Sequence, residues 1–254
     1  MSGSTGNSIA LGNSDSYVLI DAGTSAKRVT AALIERGFEP SRMAAIFITH
    51  EHSDHVSALR VLANKLNVPV YGTAGTLCAL EATHSYAGVD LRTCPADGVS
   101  AGGVFVRPFR TMHDTIESCG YTVTTADGRR VAFLTDTGCV TDVIRGAVTG
   151  CDLVYIESNH DVDMLRYGIY AYPLKQRILS DRGHLSNDAC AAELAALAEN
   201  GATRFILAHL SEENNRPELA RAASLKALLA AGLREGLDFT LQVAPPCGLP
   251  VTIF

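Results

Sequence analysis

Residues 50–55 read His-Glu-His-Ser-Asp-His, setting three imidazoles and a carboxylate within six positions of a chain that has only eight histidines. Along an extended strand exit, side chains two apart point the same way, so His50 and His52 can share one ion. Asp54 and His55 fall on the turn that follows and can reach a second ion beside it. Nitrogen and oxygen donors of this kind suit zinc, manganese or iron. A solvated loop rich in histidine is the bland alternative, and the density of the run argues against it.

Four donors cannot complete the coordination of two ions, so further ligands must come from afar. His113 (in TMHD), Asp136 (in LTDTG) and His209 (in LAHLS) are the candidates. Each taken alone fits a packed histidine or a turn-capping aspartate equally well; beside the cluster they read as ligands. A carboxylate at a strand end, such as Asp136, can bridge two ions.

These residues need a scaffold that delivers them to one edge. Apolar runs at 17–21, 45–49, 69–71, 104–109, 120–124, 130–135, 153–156, 205–208 and 239–243 are predicted strands. Helices are predicted over 25–37, 56–66, 188–199 (with Ser186 or Asn187 as cap) and from 217 to about 230. His50, Asp136, Glu157 and His209 each stand at the end of an apolar strand, where α/β sheets carry their chemistry.

With 47% hydrophobic and 19% charged residues, the 254-residue chain has the material for a core, and one domain over residues 1–254 is expected. No apolar run approaches the roughly 20 residues needed to cross a bilayer. Residues 1–12 have neither the basic nor the apolar part of a secretory leader, so none is expected. The seven scattered cysteines fit free thiols in a reducing compartment, and the expected location is the cytoplasm. A net charge of −6 argues against a broadly basic nucleic-acid surface, although bound divalent ions would concentrate positive charge at one place.

Several motifs recur along nearly the whole chain in a specific order: SGSTGN (2–7), LIDAGTSAKR (19–28), FITHEHSDH (47–55), ESNHD (157–161), GHLSN (183–187) and LAHLSEENN (207–215), with His113 and the DTG at 136–138. In these the chain resembles the metallo-β-lactamase fold superfamily, and within it the YycJ (WalJ) branch, related to the nucleases RNase Z and RNase J. The resemblance implies an α/β fold of four layers, an αββα sandwich with a dinuclear metal site at one edge. It also implies phosphodiester hydrolysis, in the form of a 5′-to-3′ exonuclease acting on DNA in bacterial repair.

Carried over residue by residue, the resemblance puts His50, His52 and His113 on one metal and Asp54, His55 and His209 on the other, with Asp136 between them. The implied cofactors are two divalent ions, Zn2+ or Mn2+. Asp21 orients a ligand without binding metal. His184 matches the extra histidine of the nuclease branches, which contacts the scissile phosphate and protonates the leaving oxygen; Glu157 orients it. Asp54 joins these two as catalytic. Substrate contacts are expected from Asn159, Ser186 and Asn187, the last two where helix N–H groups favour anions. Lys27, Arg28, Arg166, Lys175, Arg177 and Arg182 are the basic residues available to a phosphate backbone. The expected partner is nucleic acid, DNA ahead of RNA, with no membrane and with a homodimer left open.

The branch has a short apolar strand ahead of SGSxGN, whereas Ser2 here follows Met1 directly, so that strand is either absent or lies ahead of this sequence. Neither the long arm of tRNA-processing RNase Z nor the additional domain of RNase J is visible. A glyoxalase-II-like thioesterase or a lactonase would turn the same cage on a carbonyl, and a metal-binding regulator would keep it without turnover. His113 lies in MHDT rather than the GHTxG of thioesterases, and His184 together with His209 is one histidine more than a thioesterase cage needs. Both features favour phosphorus.

Overall fold

Side-chain alternation in the strands decides the layering. In β2 (Tyr17–Ile20), after the edge strand β1 (Ile9–Gly12), Val18 and Ile20 face one way and Tyr17 and Leu19 the other, and all four are buried. A strand buried on both faces must be covered on both, which is why it reads as a continuous apolar run. In the computed structural model, which describes residues 1–3, 6–13, 15–83 and 86–252, this principle holds across two sheets. Ser4 and Thr5 of the SGSTGN motif lie outside the described residues.

The first sheet continues with β3 (Met43–Phe47), β4 (Val70–Gly72) and β5 (Leu91–Thr93), in the order β1-β2-β3-β4-β5. The second holds β6 (Val99–Ala101), β7 (Val104–Arg110), β8 (Cys119–Thr124), β9 (Arg130–Leu134), β10 (Leu153–Glu157), β11 (Arg204–Ala208) and β12 (Thr240–Val243), in the order β12-β11-β10-β9-β8-β7-β6. Outside the first sheet pack α1 (Ala26–Glu35), α2 (Ser53–Val56), α3 (Leu59–Leu66) and α4 (Ala74–Ala82). The second half of the chain adds α5 (Asp142–Val148), α6 (Val162–Tyr167), α7 (Tyr172–Ile178), α8 (Asn187–Glu199) and α9 (Pro217–Ala230).

Three apolar layers result. Val18, Ile20 and Phe47 of the first sheet meet Tyr121, Val131, Phe133 and Tyr155 of the second between the sheets. Tyr17, Leu19 and Ile46 pack outward on Val29, Leu62 and Leu80 of the helices. Leu134, Val154, Ile156 and Leu207 pack outward on Ile144, Leu194 and Leu228. The architecture is the expected αββα sandwich.

Strands β2 to β5 run parallel, as do β9 to β12, so the C-terminal ends within each set share an edge. Asp21, Asp136 and His209, just past β2, β9 and β11, have φ of 59°, 57° and 54°. That left-handed backbone is uncommon outside glycine and gathers at functional sites. The predicted helix over 56–66 is in fact α2 and α3, since the Ala58 N–H bonds to the Ala22 carbonyl at 2.8 Å instead of continuing the turn. No helix of the described residues is long and apolar enough to cross a membrane.

Candidate metal centre

Three segments meet under the H-x-H-x-D-H run. Gly23 N–H bonds to Asn7 O and Asn7 N–H to Asp54 O, each at 2.8 Å, while Ala22 N–H bonds to His55 O at 2.8 Å. Gly23 is required by this approach: a Cβ there would stand 1.5 Å from the Asp54 carbonyl oxygen. His52 then occupies the N-cap of α2, which places Asp54 and His55 in its first turn. His113 arrives on the loop between β7 and β8, held to the Asp136 loop by Gly138 N–H on Met112 O at 2.8 Å.

The donor atoms gather in groups whose members lie within 4.8 Å of one another: His50, His52 and His113; Asp54, His55 and His209; and His50, His55 and Asp136. His50 Nε2 and His52 Nδ1 are 3.1 Å apart. Asp136 stands between the first two groups, with Oδ2 3.4 Å from His55 Nε2 and Oδ1 3.8 Å from His113 Nε2. The seven residues read as ligands from the sequence thus converge.

Behind them, each deep histidine is tied through Nδ1. His55 Nδ1 bonds to Asp21 Oδ2 at 2.8 Å, His209 Nδ1 to Glu157 Oε1 at 2.7 Å, and His113 Nδ1 to Gly183 O at 3.1 Å. His50 Nδ1 meets Thr49 Oγ1 at 3.0 Å, and that hydroxyl donates to Asp21 Oδ2 at 2.9 Å. Carboxylates and carbonyls only accept, so these Nδ1 atoms carry a proton, which leaves Nε2 as the atom a metal would take. Among the described residues, Asp136 Oδ2 and His209 Nε2 are buried with no hydrogen-bond partner. Buried nitrogen and oxygen donors without hydrogen bonds, within such groups, fit divalent cations, which would satisfy them.

Burial depresses the His50 imidazole well below its ordinary pKa, with His55 and His113 adding to the effect; burial likewise lowers His113 against the pull of Asp136. Both are held neutral, as ligands must be. Burial pushes the Asp136 carboxyl up, but His209 and His55 outweigh it and keep it ionised. The facing carboxylates in turn overcome burial and pull the His55 imidazole up to about 10 and His209 well above its ordinary value. Without a cation both rings therefore hold a second proton that a metal would have to displace.

Additional to the seven residues read as ligands is His184, whose donor lies within 4.8 Å of those of Asp136 and His209. Its Nδ1 lies 2.7 Å from Glu157 Oε1, and the ring lines the same cleft as His52, His113, Asp136 and His209. Glu157 is spatially grouped with Asp136, His184 and His209, but its oxygens are already engaged. Oε1 takes His184 and His209, and Oε2 accepts Thr137 N–H and Leu185 N–H at 3.1 Å each. Both of its oxygens are thus spent on hydrogen bonds. Burial pulls the His184 imidazole down, yet the Glu157 carboxylate more than compensates and its pKa lies above the ordinary value.

Of the expected substrate contacts, Asn159 lines the cleft, with Nδ2 on the His209 carbonyl at 2.8 Å. Ser186 and Asn187 do not line it. Ser186 Oγ accepts Ala189 N–H at the cap of α8, and buried Asn187 spends its amide on Ser158 and Asn215. Three of the basic candidates brace the protein: Arg177 pairs with Asp114, Lys175 Nζ bonds to the Arg166 and Gly168 carbonyls, and Arg182 bonds to the His113 and Thr115 carbonyls. Two contributors escaped the sequence reading. Asn7 Nδ2 reaches His55 Nε2 at 3.0 Å and Asp54 Oδ2 at 3.5 Å, and Ser2 Oγ accepts His209 N–H at 2.8 Å. Their only signal was their place in the SGSTGN motif.

A family model described as the beta-lactamase superfamily domain matches residues 16–210. The chain is 39% identical over 256 residues to exodeoxyribonuclease WalJ of Streptococcus pneumoniae serotype 2, covering 99% of this chain and 95% of that protein. It is 36% identical over 247 residues to exodeoxyribonuclease YycJ of Bacillus anthracis, covering 96% and 93%. Among solved structures, Zn2+-bound PqqB from Methylobacterium extorquens shares the fold, with a TM-score of 0.69 at 20% identity over 94% of this chain and 84% of that one.

Proposed function

The chain belongs to the metallo-β-lactamase superfamily, in the branch of the YycJ and WalJ exodeoxyribonucleases, and from that premise we propose that it is a metal-dependent exodeoxyribonuclease acting from 5′ to 3′. The observation that carries the reading is His184, a histidine additional to the seven assigned ligands, held by Glu157 at 2.7 Å in the same cleft. An alkoxide leaving group needs a proton on departure, whereas a thiolate does not, so this additional acid favours a phosphodiester over a thioester.

We assign His50, His52 and His113 to one ion and Asp54, His55 and His209 to the other, with Asp136 between. Two divalent ions, zinc or manganese, would supply Lewis acidity, acidifying water and offsetting charge on the phosphate. Asp21 and Glu157 keep ligand imidazoles in their metal-binding tautomer. His184 keeps its Nδ1 proton on Glu157 and presents Nε2–H to the departing oxygen. Asp54, on the cleft side of its group, also orients the attacking water, and Asn159 steadies the substrate from the cleft wall. The whole chain acts as one hydrolase unit, and its seven free cysteines support a place in the cytoplasm.

The test is digestion of DNA labelled at the 5′ or the 3′ end, in manganese or zinc, with RNA and a thioester alongside. Early release of the 5′ label as mononucleotide is expected. Rapid thioester hydrolysis without phosphodiesterase activity would overturn the reading.

A further inference from the structure

Six of the seven proposed ligands are delivered by regular structure. His50, Asp136 and His209 follow the ends of the parallel strands β3, β9 and β11, and His52, Asp54 and His55 are set by α2. His113 stands instead inside a loop, residues 111–118, which joins β7 to β8 and has no helix or strand of its own. Something else must hold it.

Side chains do so. Arg182 Nε and Nη2 bond to the His113 carbonyl at 3.2 and 3.0 Å, and Nη2 also reaches the Thr115 carbonyl at 3.3 Å. Further along the loop, Glu51 Oε1 accepts Ile116 N–H at 3.0 Å. The residue after Arg182 takes the ring: Gly183 O lies 3.1 Å from His113 Nδ1. One dipeptide, Arg182-Gly183, thus grips this ligand by both its backbone and its imidazole. The grip is itself anchored to the end of α7. A Cβ on Gly183 would stand 2.2 Å from Ile178 O and 2.3 Å from Arg177 O, and His184 N–H bonds to Ile178 O at 3.0 Å.

Resting on the metal-dependent reading above, we propose that Arg182 is a positioning residue for His113, and through it for the ion assigned to His50, His52 and His113. A guanidinium is a rigid planar fork, so it sets two carbonyls at once, and its charge strengthens both bonds. Arg182 does not line the cleft, whereas His113 does, so its role is to hold the ligand and not to touch the scissile phosphate. The same turn carries His184, whose ring centroid is 5.0 Å from that of His113. Fixing the turn therefore also fixes the proposed proton donor against a ligand of the first ion.

The test is equilibrium dialysis of the metal-free protein against chelator-buffered Zn2+ or Mn2+, which reads the affinity of each ion without any turnover. In Arg182→Ala one of the two affinities should fall by roughly 10- to 100-fold, the scale for a group that orients a ligand histidine, while the other stays unchanged. Arg182→Lys keeps the charge but loses the fork, and should recover only part of the loss. Added to His113→Ala, the Arg182→Ala change should cost nothing more, because the ligand it holds is already gone; added to His209→Ala it should cost its full amount. Arg182 is exposed, so its truncation opens no cavity, and the metal-free variant should melt close to wild type. Affinities that are unchanged, or that fall equally for both ions, overturn the positioning role. So does weaker binding of DNA with both metal affinities intact, which would give Arg182 to the phosphate backbone. A wild type that takes up no divalent ion would instead sink the metal-dependent reading itself.

Discussion

His184 and His209 share one acceptor: the Nδ1 atoms of both rings lie 2.7 Å from Glu157 Oε1, and the ring centroids are 5.4 Å apart. A single buried carboxylate therefore orients both the proposed proton donor and a proposed metal ligand. Burial alone would push Glu157 toward its neutral form, but the two imidazoles outweigh that and hold its carboxyl well below the usual range. The proposed proton donor and the proposed ligand are thus mechanically joined.

Glu157→Gln tests the junction. A glutamine keeps the shape but loses the charge, and its NH2 must oppose either the two imidazole donors or the N–H groups of Thr137 and Leu185. Both metal affinity and turnover should fall, by roughly 10- to 100-fold, the usual range for the partner of a ligand histidine. Metal analysis after gel filtration, paired with turnover, reads both; full occupancy with unchanged turnover would show that the shared contact carries no function.

The two histidines should fail differently when replaced singly. His209→Ala should lower occupancy of the ion held with Asp54 and His55. His184→Ala should leave both ions bound and slow DNA cleavage by roughly 10²- to 10⁴-fold, the range for a general acid. That loss should shrink for a nitrophenyl phosphodiester, whose leaving group departs without a proton. If His184→Ala empties a metal position while His209→Ala does not, the roles are reversed.

Gly23→Ala should be among the costliest single changes in the chain. The added Cβ would lie 1.5 Å from Asp54 O and 2.7 Å from Asn7 N, both of them backbone atoms that cannot rotate away. Forcing α2 off the Asp21 loop should cost roughly 4 kcal/mol or more, a fall in Tm of about 10 °C. Calorimetry of the metal-free protein measures it, and if the variant is too unstable to purify, yield in the soluble fraction reads the same effect. A Tm within a degree or two of wild type would mean the close approach is readily relieved.

Much of this was legible in residue order. His50, Asp136, Glu157 and His209 declared themselves by following apolar strands, because parallel strands deliver their ends to one edge. The buried strands showed as continuous apolar runs for the same reason that they form two sheets. The helices α6 and α7 did not show: they are short, and apart from buried Leu165 their apolar residues are partly or largely exposed, so no amphipathic period marks them. The second bond of Glu157, to His209, was hidden too, since nothing in the spacing of residues 157 and 209 pairs them. The parts taken by Asn7 and Ser2 depend on a loop folding back over the site, which spacing along the chain does not encode.

Metal removal should cost stability as well as activity. Asp136 and His209 are buried at 2% and 3% exposure, and each has a donor atom that no described group satisfies, so the folded state binds cations that the unfolded chain binds poorly. At free metal a hundredfold above Kd, one such ion stabilises by about 2.7 kcal/mol. For a chain of this size that is roughly 5–10 °C in Tm. Wild type and His184→Ala should show the same rise when metal is restored after chelation, since His184 is not one of the seven proposed ligands although it stands within 4.8 Å, donor to donor, of Asp136 and His209. His209→Ala should show a smaller one, because a ligand is gone. Scanning calorimetry across a metal titration distinguishes these cases: a Tm indifferent to metal in wild type would mean that the convergent donors do not hold ions tightly enough to matter.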